Sequence, residues 1–554
     1  MRFHLLGAGS IGSLFATHLS SLDSTQVRLI LRRKDLAAQL LNVTPDRAQH
    51  PYGTIKLERN GLVRKTTTLE MELTRNPAEM YTARSSTSRD SKTSKIDPSV
   101  WLRNDPIDTL IVTTKAPQTL PALRHILPRL SSRSTIVLCQ NGMGTLEGLL
   151  DTYWPEDRSD EIERERAASF GPSSDERWRV GAGGRPSFIC ATTTHGAWRK
   201  AGGHFVHAGM GELKFGLLPN RAILSAISNV AEPSWLTPSE NPIVNPRSLV
   251  DPTLAHLPST PVTDNLRTTL SSLLACTDLQ PTWLPLPTLQ ITQLQKLAVN
   301  ASVNSLTALM GVNNGALVGS PRAKSLIETV THECAQVFAA HIAREEGRWE
   351  PVINESEIAS SPPALPDHHP LSSKSLLAHT LKVVFKTASN ISSTLSDLLP
   401  LHQTSHFTLD NAPSLPSRTE IEYINGYVTA LGKRYSIDTP VVKALGELVL
   451  LKEEMGRVGA IDQVWKGRKD KVLASERPSS SRTRSSIFNS PEPSALSTSS
   501  EPETTTSTRI KVPKPNKAHA RAHKYSQIDR ELREGARTRE VERIQRAKGH
   551  DQGG

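Results

Sequence analysis

Cysteine is scarce in this chain: four in 554 residues, at Cys139, Cys190, Cys276 and Cys334. None stands in the paired spacing of a zinc site or a disulfide framework, so a reducing setting and a fold held by packing are expected. Long apolar runs are missing as well. No stretch approaches the roughly 20 predominantly apolar residues of a membrane-spanning helix. Arg2-Phe-His-Leu-Leu-Gly7 already reads as a buried strand, so a cleavable presequence would have to be cut from within the fold, and the cytoplasm is the default expectation.

Apolar residues are also few, at 37 %, and adding the 32 glycines leaves the share a little low for a compact protein, while prolines number 38. Length alone allows about three or four domains, but this composition implies a folded core diluted by polar insertions. Negative charge is the last shortage, since the formal net charge is +11. Thr505 to Gly554 holds 13 Lys or Arg against 6 Asp or Glu, so most of the excess sits in the tail and the rest is unremarkable for a small-molecule enzyme. The tail offers only Tyr525 for base stacking and interleaves acids with bases, which fits a solvated extension better than a nucleic-acid-binding arm.

Residues 2–33 read strand, glycine turn, helix, strand: Phe3 to Leu6, then Ser10 to Ser21 with Ile11, Leu14, Phe15 and Leu19 at helical spacing, then Val27 to Leu31. Further strands are expected at Thr109–Thr114, Thr135–Cys139, Ser187–Thr194 and Gly203–Leu218. Polar insertions are expected at about 76–104, 156–186 and 231–264. From about 288 helical periodicity takes over, through Leu294–Met310, Ala323–Ala343, Leu376–Leu399, Glu420–Leu431 and Val441–Met455, with Pro-rich breaks at 351–372 and 400–417. The organisation expected is an α/β Rossmann-type domain over 1–287, an all-α domain over 288–464, and a long disordered tail over 465–554.

Gly7-Ala-Gly9-Ser10-Ile11-Gly12 has the spacing Gly-x-Gly-x-x-Gly between a strand and a helix. In that context Gly7 permits a tight turn, Gly9 lets a pyrophosphate approach, and Gly12 lets helix and strand pack closely, with the helix amides facing the phosphates. The second strand ends in Arg32-Arg33-Lys34, where a carboxylate would grip the ribose of NAD. Cations there suit a 2'-phosphate, so NADP is the expected cofactor. Lys115 and Asn141-Gly-Met-Gly144 follow strands whose ends would open into the same crevice, although each alone could be a surface lysine or a turn.

Lys296, Asn300 and Asn304 lie four residues apart, which on a helix stacks a cation and two amides along one stripe. The stripe could be the polar face of an ordinary amphipathic helix. Yet Leu294, Leu297, Ala298, Ala301, Val303 and Leu306 surround it, so the helix should be buried and its polar groups need partners. Taken singly, Glu420 reads as a carboxylate at a helix start and Asn314 as a turn residue, while His195, at a strand end, could be catalytic but reads more readily as a hydrogen-bonded structural histidine.

Together these segments resemble the ketopantoate reductase (2-dehydropantoate 2-reductase) family. The matching stretches are Leu6-Gly-Ala-Gly-Ser-Ile-Gly12, Thr114-Lys-Ala116, Asn141-Gly-Met-Gly144, Thr192-Thr-Thr-His195, Lys296-Leu-Ala-Val-Asn300 with Asn304, Asn390-Ile-Ser-Ser393 and Thr419-Glu-Ile-Glu-Tyr-Ile-Asn-Gly426. The resemblance implies NADPH-dependent reduction of ketopantoate to (R)-pantoate, on the route to pantothenate and coenzyme A. It makes Lys296 and Glu420 the catalytic pair and Lys296 the proton donor. It assigns Gly7, Gly9, Ser10, Ile11, Gly12, Arg32, Lys115 and Asn141 to the cofactor, and Asn300, Asn304, Asn314, Asn390 and Ser393 to the substrate. No metal and no membrane partner is implied, and a homodimer is compatible with it. The link from the Asn390 segment to Glu420 is about 15 residues longer than the family needs, a length that loops tolerate. Two alternatives stay open: a reductase of another 2-oxo acid, and a reductase-like fold reused as a non-catalytic binding or regulatory protein.

Overall fold

Strands such as Thr109–Val112 and Thr135–Leu138, apolar after their first threonine and buried at every position, are covered on both faces, and that requirement sets the architecture. The computed structural model describes residues 1–32, 34–41, 52–74, 103–155, 184–220, 223, 254, 257–349, 363–399 and 418–456. All of these belong to one unit, Met1–Arg477. Within it β1 (Arg2–Leu6), α1 (Ser10–Leu19), β2 (Gln26–Leu31) and α2 (Lys34–Leu40) are followed by a hairpin of β3 (Tyr52–Arg59) and β4 (Leu62–Leu73). Then come β5 (Thr109–Val112), α3 (Ala116–Leu123), β6 (Thr135–Leu138), α4 (Thr145–Tyr153) and β7 (Ser187–Thr193). Six of these strands run parallel in the order β4-β2-β1-β5-β6-β7. Numbered among themselves they follow the dinucleotide-fold order, which reverses between β1 and β5 and opens a crevice at the strands' carboxyl ends.

The sheet does not stop there. β8 (Gly196–Ala201) and β9 (His204–Gly209) extend it beyond β3, while β10 (Leu213–Leu218) and β11 (Pro281–Trp283) extend it beyond β7. Only Thr194 and His195 separate β7 from β8, although the two stand eight steps apart in the strand order. Two residues span about 10 Å, whereas a flat sheet would set those strands nearly 40 Å apart at about 4.8 Å per step. The sheet therefore curls until its edges meet. His195 fastens that seam: its Nδ1 accepts from the Gly211 amide at 3.0 Å, its Nε2 donates to the Leu279 carbonyl at 3.0 Å, and His207 Nε2 lies 3.0 Å from Nδ1.

After α5 (Asp264–Ala275) the chain becomes helical: α6 (Leu286–Val299), a π-helical turn (Asn300–Asn304), α7 (Ser305–Met310), α8 (Pro321–Glu345), α9 (Ser373–Lys386), α10 (Ser393–Leu398), α11 (Asn425–Arg434), and α12 at 440–456. Their core gathers Leu294, Leu297, Val330, Phe338, Leu376, Val428 and Val442.

The Rossmann-type and all-α reading holds, with local corrections. The β3–β4 hairpin and α5 were not expected. Gly203–Leu218 is two strands near opposite ends of the strand order, and Gly211 between them packs so closely on Thr194 that a Cβ there would have no room. Leu376–Leu399 is two helices, since Ser392 caps a new start by accepting from the Leu395 amide. Glu420 precedes a short 3-10 turn (Ile421–Tyr423) rather than opening a helix. Arg33, most of the insertions expected at 76–104, 156–186 and 231–264, and the tail from 465 lie outside the described residues.

Candidate active site

The glycine turn fits a phosphate by what each position lacks. A Cβ at Gly12 would sit 2.0 Å from the Gly7 carbonyl oxygen, so α1 could not reach β1 with any larger residue there. At Gly9 a Cβ would meet nothing within 4 Å, which leaves open space directly before the first amides of α1. No side chain among the described residues caps that helix, so its N-terminal donors and positive dipole end face the opening. Ser10 and Ile11 form its first turn. Arg32, at the end of β2, is exposed, and its Nη2 points to Gln118 Oε1 at 3.4 Å. These groups fit a dinucleotide with its pyrophosphate on α1 and a ribose end beside Arg32.

Across the crevice a chain of polar contacts links strand ends to the helical region. Lys296, in the last turn of α6, donates from Nζ to Asn141 Oδ1 at 3.0 Å, Thr192 Oγ1 at 3.2 Å and the Thr193 carbonyl at 2.9 Å. Asn141 Nδ2 in turn donates to Glu420 Oε2 at 3.3 Å. Glu420 is 3 % exposed and also accepts from the Ala116 amide at 3.1 Å and from Lys115 Nζ at 3.3 Å. Lys115 Nζ closes the line on Asp397 Oδ2 at 2.9 Å. The loop carrying Asn141 is docked on the Glu420 segment itself: Met143 N donates to the Tyr423 carbonyl at 2.8 Å, and a Cβ at Gly142, whose φ is +80°, would crowd that carbonyl at 2.5 Å.

Burial sets the charges here. It lowers the Lys296 ammonium below the ordinary lysine value, with Cys139 and Glu420 opposing, so this lysine parts with a proton more readily than a surface one. Burial pushes the neighbouring Cys139 thiol up to about 11, so it stays neutral beside that ammonium. Lys115 is pulled the other way: burial disfavours its charge, but Glu420 and then Asp397 outweigh it and hold an ammonium. Burial raises the Asp397 carboxyl to about 6, against the pull of Lys115.

The remaining expected residues divide. Asn304 is buried, and its Nδ2 reaches Ser393 Oγ at 3.3 Å. Asn314 is buried, donates from Nδ2 to Thr387 Oγ1 at 2.9 Å, and leaves its Oδ1 buried without a partner among the described residues. Asn300 is half-buried and opens the π-helical turn. Asn390 is exposed, and its carbonyl accepts from the Asn314 amide at 3.0 Å. Sequence reasoning assigned no role to Asp397 or Thr192. Thr192 lies inside a matched motif, but only geometry shows its hydroxyl at Lys296; Asp397 carries no sequence signal beyond an acid on a short helix.

Residues 3–220 match the family model described as ketopantoate reductase PanE/ApbA. Residues 288–406 and 416–453 match the one described as its C terminal part, the gap falling in the long link before Glu420. A protein of Schizosaccharomyces pombe named probable 2-dehydropantoate 2-reductase is 28 % identical over 454 residues, 82 % of this chain and 96 % of that protein. The 2-dehydropantoate 2-reductase of Saccharomyces cerevisiae is 23 % identical over 473 residues, 84 % of this chain and 98 % of its own. That of Vibrio cholerae is 26 % identical over 363 residues, covering 64 % and 83 %.

Proposed function

The chain belongs to the ketopantoate reductase PanE/ApbA family, and on that premise we propose that it reduces 2-dehydropantoate to (R)-pantoate with NADPH, as a step towards pantothenate and coenzyme A. In this reading residues 1–287 bind the cofactor and 288–464 carry the catalytic and substrate groups. The observation that carries it is the half-buried Lys296 ammonium at the sheet's carboxyl edge, joined through Asn141 to Glu420.

The dinucleotide, when bound, supplies hydride to the C2 carbonyl carbon. Lys296 polarises the carbonyl oxygen and gives it a proton as negative charge develops, and its lowered proton affinity suits that task. Thr192 and the Thr193 carbonyl aim Nζ from below, so the proton is presented from a fixed position. Glu420, gripped by Lys115 and the Ala116 amide, orients Asn141 and through it the lysine. The unpartnered Oδ1 of Asn314 and the Asn304–Ser393 pair offer hydrogen-bonding groups to the substrate's hydroxyl and carboxylate. Arg32 favours NADP over NAD, since a guanidinium grips a 2'-phosphate that a carboxylate would repel.

A steady-state assay crossing NADPH and NADH with ketopantoate and smaller 2-oxo acids tests this reading. Ketopantoate with NADPH should give the highest kcat/KM. A smaller 2-oxo acid turned over more efficiently would move the substrate assignment, and equal use of NADH would remove the role given to Arg32.

A further inference from the structure

Lys296, Asn300 and Asn304 do not sit on a plain α-helix. Asn300–Asn304 forms a π-helical turn between α6 and α7. A π-turn holds one residue more than an α-turn, so it carries Asn304 around the axis relative to Lys296. Such a turn widens the helix and needs unusual partners for its carbonyls. Here two hydroxyls fold back onto them, Ser305 Oγ on Ala301 O at 2.8 Å and Thr307 Oγ1 on Val303 O at 2.7 Å, while Ser302 Oγ of the turn bonds Ala298 O just before it at 2.9 Å.

A further partner comes from another helix. Asn425, 1 % exposed at the start of α11, donates from Nδ2 to the Ala301 carbonyl in the middle of the π-turn at 3.3 Å and to the Val442 carbonyl of α12 at 2.9 Å. Its Oδ1 lies 3.1 Å from Ser305 Oγ, whose single proton is shared between that oxygen and the Ala301 carbonyl. Space has been kept for it: Gly446 lies inside α12, where glycine is otherwise unfavourable, and a Cβ there would stand 3.0 Å from the Asn425 Cβ. Asn425 also lies five residues after Glu420 in one short segment. It thus ties the segment bearing Glu420 to the turn that sets Asn300 and Asn304 against Lys296.

We infer that Asn425 is a positioning residue of the active centre: by bonding the Ala301 carbonyl and Ser305 it holds the Asn300–Asn304 π-turn and so fixes the two asparagines at the spacing the substrate requires. The inference rests on the proposed function, because the consequence appears in substrate binding. Asn425 itself acts through the turn and not by touching substrate.

The test is Asn425→Ala in the full-length protein, assayed well below its melting temperature with NADPH and ketopantoate, alongside hydrogen–deuterium exchange of peptides covering 297–310. The expected result is a rise of about tenfold or more in KM for ketopantoate, with KM for NADPH within about twofold of wild type, and faster exchange in the π-turn. Kinetic constants unchanged beside a lowered melting temperature would overturn the inference, leaving Asn425 a packing residue. Should Asn425→Ala not fold, Ser305→Ala removes one arm of the clamp, and a KM rise of about threefold is expected, no change being the contrary result. If the wild type itself fails to turn over ketopantoate, the proposed function falls instead. The clamp is then judged on exchange alone, and equal exchange in variant and wild type would overturn it.

Discussion

At the scale of single residues the site works by burying charge and then restraining it. Asp397 shows this most clearly. Burial pushes its carboxyl from the ordinary 3.8 up to about 6, although Lys115 stands 2.9 Å away. Between about pH 4 and 6 the folded chain therefore keeps a proton that the unfolded chain has released, and this contribution to stability is lost as pH rises through that window. Asp397→Asn carries no such proton. Thermal unfolding at a series of pH values should find the variant's midpoint gaining on wild type from about pH 4 to about 6.5 and then levelling. A difference that stays flat, or narrows, would show that Asp397 ionises without penalty. The carboxylate thus serves the Lys115–Glu420 line at a stability cost, as buried functional charges commonly do.

At the scale of elements, one helix end shows how the candidate site is held without being touched. Glu333 on α8 accepts the Val441 amide on Oε1 at 3.0 Å and the Val442 amide on Oε2 at 2.9 Å, capping the buried start of α12. Glu333→Gln turns one acceptor into a donor facing an amide, which should cost about 1–3 kcal/mol and lower the melting temperature by several degrees with kcat unchanged. An unchanged melt would mean that water or rearrangement replaces the cap. Elements are also where the sequence is unevenly legible. The βαβ start and the long apolar strands announce themselves through periodicity, and the helices through their 3.6-residue spacing. The β3–β4 hairpin escapes notice although Asn60-Gly61 takes the positive φ values, 50° and 79°, of a tight hairpin turn, because its strands are half-polar and alternate weakly. The π-turn is invisible, because hydroxyls and an amide from α11 stabilise it and neither leaves a local pattern. Motifs mark the residues expected at the candidate site; Asp397 and the Thr192 contact depend on long-range packing that no spacing encodes.

At the scale of the whole molecule, a curled mixed sheet and a helical region meet along the sheet's carboxyl edge, and the polar line from Lys296 to Asp397 crosses that meeting. Every group in it lies at or before Glu420, and the caps around it end with Glu453, which receives the Thr419 amide at 2.8 Å. The basic excess lies beyond them. A chain ending at residue 477 should keep ketopantoate turnover within about twofold of the full length, and a larger loss would give the last residues a part in the fold or the site. In the proposed reaction Lys296 delivers the proton to ketopantoate. Recording NADPH oxidation on adding ketopantoate to wild type and to Lys296→Ala at matched folded concentrations tests that role. Wild type should turn over, and the variant should lose about a hundredfold or more in kcat. Turnover by Lys296→Ala at the wild-type rate would contradict the account.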